Sequence, residues 1–524
     1  MGEDTARQGT RHGMRAPPYA LPCALLLICA AGLAVRIGYV QHDIHLMGDA
    51  ALYLRQAMGL SIHGSLPTDV FIDNSGWSMF LSVPFSFLNP SDLGAHMAVQ
   101  KLAGTVISVL TIAPIYAISR RYMPGWASLV APAVFAAHPL IIFNSGLGIT
   151  EAPFMLLMTS AMACFLSGRR RVVFLAFPIA ALASLVRGEG IIMLVLLYVL
   201  YAVKYRGSRR ALYEIPLLVL VAALILAPVS AYRIDAGGTD GMFVRAWMFA
   251  NQQLGGVQGS VASAQAQGSI SAPSTTTIFL LGKVMLLPVM LFVPYGLYRI
   301  LRMDPYLAVM FGMMLVITAN VMSFGGYIPR YALWTVPAMC VLAAFGINRL
   351  AGLHRRRDLA LLAVTGLVVA ASLATFEDTR DPVRIVEGYE IRNAILHELG
   401  DNNMYLKETS HLHRYLKLES DGLPARVTGI PGISSYLQQC RYPDHVCAVT
   451  PGLPEITAER LKSRYYTHVI VDDSEDRASH LLLNAFRNEG DYPYLTKVYD
   501  SRDDGFSYHV KVFEIDHDVL QNYP

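Results

Sequence analysis

The sequence predicts a polytopic, all-α membrane domain of about eleven transmembrane helices, followed by a small α/β domain on the extracytoplasmic side. The first observation is composition: 54% of the 524 residues are hydrophobic and only 15% are charged, whereas soluble domains carry about 25% charged residues. The second is that residues 1–375 have a net charge of +12 and residues 376–524 a net charge of −9. This pattern excludes a disordered chain, a coiled coil and a typical cytosolic enzyme, and the acidic C-terminal part argues against a nucleic-acid partner.

The third observation is a series of long apolar stretches in the first 375 residues. A membrane-spanning helix needs about 20 apolar residues, each adding about 1.5 Å. Eleven stretches are candidate spans, near 17–39, 94–118, 126–143, 151–167, 172–186, 190–203, 212–229, 276–298, 306–323, 331–348 and 359–375. The stretch 76–88 is too short to span and favours a helix on the membrane surface. We interpret the first stretch as a retained anchor rather than a signal peptide, because it is long and Arg36 follows near its end.

The connections between these stretches alternate in charge. Eighteen basic residues form six clusters on one side of the membrane: Arg7, Arg11 and Arg15; Arg120 and Arg121; Arg169, Arg170 and Arg171; Lys204, Arg206, Arg209 and Arg210; Arg299 and Arg302; and Arg349, Arg355, Arg356 and Arg357. The positive-inside rule places the N-terminus in the cytoplasm and residues 376–524 outside. One long helix over 172–203 would break this alternation, so we predict a hairpin with residues 187–190 at its tip.

This topology divides the chain into three parts. They are a cytoplasmic tail (1–16), a membrane domain (17–375) with outer loops at 41–93 and 230–275, and an extracytoplasmic domain (376–524). Residues 251–277 are rich in Gly, Ser, Gln and Ala, which is typical of a flexible lid or a simple connector.

The extracytoplasmic domain combines strand and helix patterns. Alternating β-branched and aromatic residues predict strands at 466–472 and 507–515, and helical patterns cover 457–465 and 478–488. The mixture predicts a small α/β or α+β domain. Cys440 and Cys447 also lie in this part, where either a disulfide or two free thiols is compatible with the sequence.

Asp49 is the first candidate for chemistry. The segment GDAALYL at 48–54 places Asp49 at the start of an amphipathic helix, with Tyr53 one turn later on the same face. As a helix cap, Asp49 would only stabilise the helix. As a general base, it would accept a proton at the boundary between membrane and water. The residues alone leave both interpretations open.

Four further positions lie on the same predicted face of the membrane. Glu151 begins the fourth span, where a carboxylate also favours a helix N-terminus. Arg187 lies at the hairpin tip, where Glu189 could pair with it, and Arg330 precedes Tyr331 at the outer end of the tenth span. Lys283 lies about two turns inside the eighth span, where a lysine could extend towards water. Each residue has an ordinary structural explanation, namely a cap, a local ion pair or an interfacial anchor.

Together these positions suit a phosphate-bearing substrate and a proton transfer, because two carboxylates and three cations face one side. His45 and Asp49 stand four residues apart, with His42 and Asp43 nearby, so a divalent-cation site is geometrically possible. Such a cluster more often consists of ordinary polar residues of a loop, so the sequence does not firmly predict a metal site.

The order and sidedness of these motifs resemble the GT-C superfamily of integral-membrane glycosyltransferases. The resemblance is to the branch of protein O-mannosyltransferases and aminoarabinose and polyprenyl-sugar transferases, and it covers roughly residues 17–350. The matching segments are GDAALYLRQA (48–57), GWSMFLSVPF (76–85), AISRRYMPGWASLVAPAVFAAHPLII (117–142), TEAPFMLLM (150–158), SLVRGEG (184–190) and PRYALWTVPAM (329–339).

The resemblance implies a lipid-linked sugar donor, such as a polyprenyl-phosphate monosaccharide, that enters from the bilayer. Asp49 then matches the first-loop acidic residue that acts as catalytic base, and Glu151 matches the second-loop acidic residue. Arg187 and Arg330 match arginines near the donor phosphate, whereas Lys283 rests on position alone. Tyr53 and Tyr331 are expected to contact the substrate.

The sequence departs from the family pattern in two ways. Many relatives have two adjacent acidic residues in the first loop, whereas Ala50 follows Asp49 here. The Trp-Trp-Asp motif of oligosaccharyltransferases is absent, because all four tryptophans are isolated in the sequence. The second departure disfavours en-bloc transfer of an oligosaccharide to asparagine.

The main hypothesis is therefore an inverting glycosyltransferase of the cell membrane. It would move a sugar from a polyprenyl-phosphate-linked donor to a hydroxyl of a protein, lipid or glycan on the extracytoplasmic face. The alternative is a multi-pass transporter or lipid flippase with an extracytoplasmic accessory domain, which predicts internal repeats and charges near the membrane midplane. A ligand-binding receptor would leave the many spans unexplained.

Overall fold

The structure is a computed structural model, and it describes most of the chain. The described residues are 19–40, 46, 49–65, 75–90, 92–237, 240, 284, 286–325, 329–374, 382–399, 405–408, 447–448, 467–473 and 480–522. Several predictions fall outside them: the loop 251–277, the helix 457–465, Lys283, the histidines at 42 and 45, Asp43, and Cys440.

The described residues up to 374 form a helical bundle. Its helices are α1 (Ala20–Tyr39), α2 (Asp49–His63), α3 (Ser75–Phe85), α4 (Leu93–Leu110), α5 (Ile112–Tyr122), α6 (Val130–Ala136), α7 (Pro139–Ser145), α8 (Glu151–Phe165), α9 (Arg170–Val186), α10 (Glu189–Lys204), α11 (Ala211–Gly237), α12 (Leu287–Met290), α13 (Val293–Met303), α14 (Pro305–Gly325), α15 (Val336–Ala351) and α16 (Arg357–Ala374). Two 3₁₀ segments, Gly125–Leu129 and Pro329–Thr335, lead into α6 and α15.

Several of these helices can cross a membrane. Among the described residues, five are long and apolar enough, namely Ala20–Tyr39, Leu93–Tyr122, Ala211–Asp235, Arg330–Ala351 and Arg357–Ala374. The pair Gly125–Ala136 and Pro139–Ser145, bent by 57°, adds a sixth if it forms one span. The chain is therefore a multi-pass membrane protein, as predicted, while the count of about eleven spans stays a prediction.

The exterior of the bundle is apolar, as a lipid-facing surface requires. Leu26, Leu27, Leu224 and Leu362 are exposed, whereas small and aromatic side chains fill the interior. Such a surface would be unfavourable in water, because large contiguous apolar patches are rare on soluble proteins.

Residues 172–203 form a helical hairpin, as predicted. Helix α9 ends at Val186, and α10 begins at Glu189. Arg187 between them is extended, with φ −148° and ψ 135°. This break places the side chain of Arg187 at the hairpin tip rather than on a continuous helix.

Helices α2 and α3 occupy the stretch between the first and second long apolar helices. They share a small core that includes Leu54, Trp77 and Leu81. Helix α3 covers most of the stretch predicted to lie on the membrane surface, and Phe80, Val83 and the following Phe87 are exposed. Exposed aromatic and aliphatic side chains on a short helix suit contact with the lipid interface.

The C-terminal part contains a small mixed sheet. Its elements are α17 (Pro382–Leu399), β1 (Tyr405–Glu408), β2 (Cys447–Ala448), β3 (His468–Asp472), α18 (His480–Arg487), β4 (Leu495–Asp500), β5 (Val510–Ile515) and α19 (His517–Asn522). The strand order is β2-β1-β3-β5-β4; β1 is parallel to β2 and β3, and β5 is antiparallel to β3 and β4. Ile391 and Ile395 of α17 pack on this sheet. The predicted strands at 466–472 and 507–515 and the helix at 478–488 are confirmed.

Candidate active site

The predicted site residues lie at the ends of helices or in the short segments between them. Asp49 is the first residue of α2, and Glu151 is the first residue of α8. Both positions favour a carboxylate, because the N-terminal end of a helix is electropositive. Arg187 separates α9 from α10, and Arg330 lies in the 3₁₀ segment before α15. Four separate parts of the chain therefore supply the charged groups.

These groups form one chain of alternating charge, which we name the site network. Arg330 Nη2 donates to Asp49 Oδ2 at 2.6 Å, and Arg330 Nε lies 4.0 Å from Glu151 Oε1. Arg187 Nη1 donates to the same Oε1 atom of Glu151 at 3.2 Å, and Arg187 Nη2 donates to Glu189 Oε1 at 2.9 Å. The network therefore runs Asp49, Arg330, Glu151, Arg187, Glu189, with Glu151 at its centre.

Aromatic rings hold the two guanidinium groups in place. Tyr331 lies beside both arginines, with its ring centroid 5.5 Å from the Arg187 Cζ and 5.2 Å from the Arg330 Cζ. Phe154, one turn into α8, also faces Arg187 at 5.8 Å. Each contact adds a cation–π attraction that grows where water is excluded. Tyr53 is buried on α2, one turn after Asp49.

Exposure differs sharply along the network. The side chain of Asp49 is 44% exposed, whereas that of Glu151 is only 5% exposed. Glu151 Oε2 and Arg330 Nε are buried and make no hydrogen bond to any described residue. Glu151 Oε2 is thus a buried acceptor and Arg330 Nε a buried donor on two paired side chains. A hydroxyl group could donate a hydrogen bond to the first and accept one from the second.

The absence of a second acidic residue directly after Asp49 has a physical reason. Ala50 is buried in the small core with Tyr53, Leu54 and Trp77. A carboxylate at that position would have to be buried among apolar side chains, at a large cost in free energy. Asp49 therefore supplies the acidic group of α2 that faces the arginines.

The structure brings six of the seven predicted site residues together. Asp49, Glu151, Arg187 and Arg330 are joined by ion pairs, and Tyr331 and Tyr53 adjoin them. Lys283 lies outside the described residues, so its part stays a prediction. The sequence treated Glu189 only as a local partner of Arg187, and its place at the end of a longer network was missed.

Among the described residues, no group of three His, Cys, Asp or Glu side chains could hold a metal ion. The carboxylates of Asp49 and Glu151 are already paired with arginines, whose positive charge would repel a cation. The histidines at 42 and 45 and Asp43 lie outside the described residues, and the chemistry considered below uses protein groups only.

An apolar groove begins close to the network. It has a volume of about 500 Å³ and runs between α10 and α11, where Ile191, Leu194, Tyr198, Ala222, Leu226 and Ile234 are among its lining residues. Ile191 follows Glu189 of the network by two residues. One end of this apolar groove therefore lies two residues along α10 from Glu189 of the network.

The architecture is similar to that of two solved membrane proteins. ArnT from Cupriavidus metallidurans bound to undecaprenyl phosphate is 14% identical with a TM-score of 0.55, over 94% of this chain and 98% of that chain. Its apo state gives 15% identity and a TM-score of 0.53, over 95% and 99% of the two chains.

The second protein is the archaeal oligosaccharyltransferase AglB from Archaeoglobus fulgidus, solved in complex with an inhibitory peptide and a dolichol-phosphate. It is 13% identical with a TM-score of 0.54, over 94% of this chain and 74% of that chain. No protein-family model and no curated protein matches the sequence. Identities this low show a shared fold, so this chain has the fold of ArnT and AglB, as the resemblance in the sequence implies.

Proposed function

We propose that this chain is a glycosyltransferase that moves a sugar from a polyprenyl-phosphate-linked donor to an acceptor hydroxyl on the extracytoplasmic face. The observation that supports this most is the site network. It places a half-exposed carboxylate, a buried carboxylate oxygen without a described partner and two arginines within one ion-paired cluster. The shared fold with ArnT and AglB supports the same reaction class.

The reaction begins with proton transfer from the acceptor. As the acceptor oxygen attacks the anomeric carbon, Asp49 takes its proton, a role that fits the exposed end of the network. The new bond joins this oxygen to the anomeric carbon, while the bond between that carbon and the phosphate oxygen breaks. Attack opposite to the leaving group inverts the anomeric centre. Glu151 orients the acceptor through its buried Oε2 atom.

The leaving group is a lipid phosphate, whose negative charge grows as the bond breaks. Arg330 and Arg187 each offer a planar fork of N–H donors, which matches phosphate oxygens in pairs. The aromatic contacts with Tyr331 and Phe154 fix these forks before the substrate arrives. Preorganised donors in a partly dry site stabilise developing charge most effectively.

The apolar groove suits the lipid of the donor. An isoprenoid chain has no polar groups, and the lining of the groove between α10 and α11 is almost entirely apolar. The similar structures contain undecaprenyl phosphate in one case and a dolichol-phosphate in the other. A polyprenyl chain in the groove would leave its phosphate near Arg187.

We also propose the topology, with about eleven spans, a cytoplasmic N-terminus and the C-terminal sheet outside. The six basic clusters support it, since they alternate with the connections that hold the site residues. The test uses a background without native cysteines and a maleimide that does not cross the membrane. Arg302→Cys should react with it only after the cells are permeabilised, whereas Val519→Cys should react in intact cells. The reverse labelling would refute the orientation.

The transporter alternative finds less support. It predicts charges near the midplane, whereas the site network lies at helix ends, and one of the two similar proteins, AglB, is an oligosaccharyltransferase. The deciding experiment supplies radiolabelled polyprenyl-phosphate sugars to purified protein in vesicles. Release of free lipid phosphate with label appearing on an acceptor supports the transferase. Movement of intact donor between leaflets, without cleavage, would refute it.

A further inference from the structure

Gln100 is a fully buried polar residue in the middle of an apolar helix. It lies in α4, is not a member of the site network, and is 0% exposed. Burying an amide costs free energy unless hydrogen bonds compensate for it. Gln100 Oε1 makes no hydrogen bond to a described residue, so only the amide nitrogen offsets that cost.

The amide nitrogen of Gln100 connects the two segments that hold the site carboxylates. Nε2 donates to the Ala50 carbonyl at 2.9 Å and to the Gly148 carbonyl at 2.7 Å. Ala50 directly follows Asp49, and Gly148 precedes Glu151 by three residues. Both partners are acceptors, so the side-chain nitrogen and not the oxygen must face them.

The loop at Gly148 is shaped around this contact. Gly148 has φ +69°, a conformation that residues with a side chain rarely adopt. A Cβ atom there would lie 2.9 Å from Gln100 Cγ and 3.1 Å from Gln100 Nε2. The close approach of backbone and amide therefore requires glycine at 148.

A third segment is attached to the same carbonyl. Trp77 Nε1 donates to Gly148 O at 2.9 Å, so this oxygen accepts two hydrogen bonds. Next to Trp77, Gly76 touches the end of α9, where an added Cβ would lie 2.7 Å from the Leu185 carbonyl carbon. Leu185 precedes Arg187 by two residues. The contacts around Gly148 thus reach the segments of Asp49, Glu151 and Arg187.

We infer that Gln100 is a positioning residue that sets the distance between Asp49 and Glu151 by holding the Ala50 and Gly148 carbonyls on one amide nitrogen. This inference rests on the proposed function. Gln100 touches no substrate; it acts by fixing where the two carboxylates stand. A displacement of about 1 Å in a reacting group can lower a rate by about 10²-fold.

The test variant is Gln100→Met, which keeps the length and volume of the side chain and removes both donors. We expect kcat to fall by about 10²-fold, while KM for the polyprenyl-phosphate sugar stays within a factor of about two. The melting temperature should change little, because Met also removes the oxygen that lacks a partner. A purely structural role would instead lower the melting temperature and leave kcat per folded molecule unchanged.

Two controls separate the explanations. Gln56, on α2, is also a buried glutamine, and no hydrogen bond from it to the 144–150 loop is described. Gln56→Met should therefore leave kcat unchanged. Thr105 lies on the same helix as Gln100, and its Oγ1 atom makes a weak contact of 3.5 Å with the Ser145 carbonyl. Thr105→Val removes this contact and should also be active. A Gln100→Met variant with the kcat of the wild type would overturn the inference.

Hydrogen–deuterium exchange provides a readout that does not depend on activity. In the full-length protein in vesicles, Gln100→Met should raise exchange in residues 49–54 and 144–151 together, and Gln56→Met should not. If the wild type transfers no sugar from any polyprenyl donor, the proposed function fails and exchange alone decides the role of Gln100. Unchanged exchange in both segments would show that Gln100 does not hold them.

Discussion

Two networks of ion pairs among the described residues differ in the span of sequence that they connect and in the burial of their central carboxylates. The site network joins Asp49 to Arg330 across 281 positions of sequence and Glu151 to Arg187 across 36. The second network, at the β4–β5 hairpin, is local. Lys511 Nζ and Lys497 Nζ lie 2.6 Å and 3.2 Å from Glu489 Oε1.

Burial separates them further. The side chains of Glu151 and Arg187 are 5% and 10% exposed, whereas those of Glu489 and Lys497 are 33% and 36% exposed. Exposed pairs contribute about 0–1 kcal/mol, because water competes for both charges. A buried pair has already lost its hydration, and replacement by apolar residues is often neutral or stabilising. Stability alone therefore explains the hairpin network, while the site network has an additional reason to exist, which is chemistry.

Asp49→Asn should have the largest effect on the site network. The amide keeps the size of the carboxylate and begins a helix about as well, so folding should be unaffected. It cannot accept the proton, and loss of a general base should lower the transfer rate by about 10²–10⁴-fold. The rate is measured from the release of lipid phosphate by purified protein.

Asp92→Asn is the matched control. Asp92 also lies at the N-terminal end of a helix, directly before α4, and accepts a hydrogen bond from the Ala95 amide, which an asparagine oxygen can equally accept. It should retain full activity. A fully active Asp49→Asn would mean that Asp49 is only a cap, and the role of base would pass to Glu151.

Glu151→Ala should lower the stability of the protein more than the equivalent substitution in the hairpin network does. It leaves the buried Arg187 with Glu189 alone, and removing one partner of a buried pair costs about 3 kcal/mol. Glu489→Ala in the exposed network should cost less than about 1 kcal/mol. Melting temperatures of both variants in the same detergent compare them directly. Equal losses would remove the distinction between the networks.

Arg330→Lys tests whether geometry or charge matters at the phosphate position. Lysine keeps the positive charge but loses the planar fork and the ring contact with Tyr331. We expect transfer to fall by about tenfold or more. Arg302→Lys, on an exposed side chain of the basic face, should change nothing. Donor affinity and rate equal to those of the wild type would remove Arg330 from the phosphate site.

The smallest expected effect is the pH dependence of the hairpin network. Burial raises the pKa of Glu489, but the hydrogen-bonded Lys511 and Lys497 outweigh it, so the pKa lies below its ordinary value. Burial lowers the pKa of His509, although Asp500 opposes it. Both groups bind protons more readily when unfolded, so stability is lost as pH falls.

The loss should begin below about pH 6.5 for His509 and continue below about pH 4.3 for Glu489, their ordinary pKa values. Hydrogen exchange of the β4 and β5 amides in the full-length protein, corrected for the intrinsic exchange rate at each pH, measures this loss of stability. Glu489→Gln should reduce the lower part of the dependence, to which Asp500 also contributes through its lowered pKa, and leave the upper part. Protection that increases towards acid would contradict the sign.

The sequence identified Asp49, Glu151 and Arg187 as candidates because each has a local signature. Asp49 and Glu151 begin helices, and Arg187 interrupts an apolar run that is too long for a single span. The hairpin followed from the positive-inside rule, which depends only on counting charges along the chain. Gln100 was missed, since one glutamine in an apolar stretch has no local pattern that distinguishes it from a packing residue.

The sequence by itself determined the membrane class, the hairpin at Arg187, the strands β3 and β5 and the identities of the charged groups, because hydropathy and charge are properties of short segments. The tertiary structure alone decided that Arg330 pairs with Asp49, that Arg187 connects Glu151 with Glu189, and that Gln100 joins two loops. These contacts bring together residues as many as 281 positions apart. Such pairings depend on how helices pack side by side, and helix packing is set by the shapes of many side chains at once.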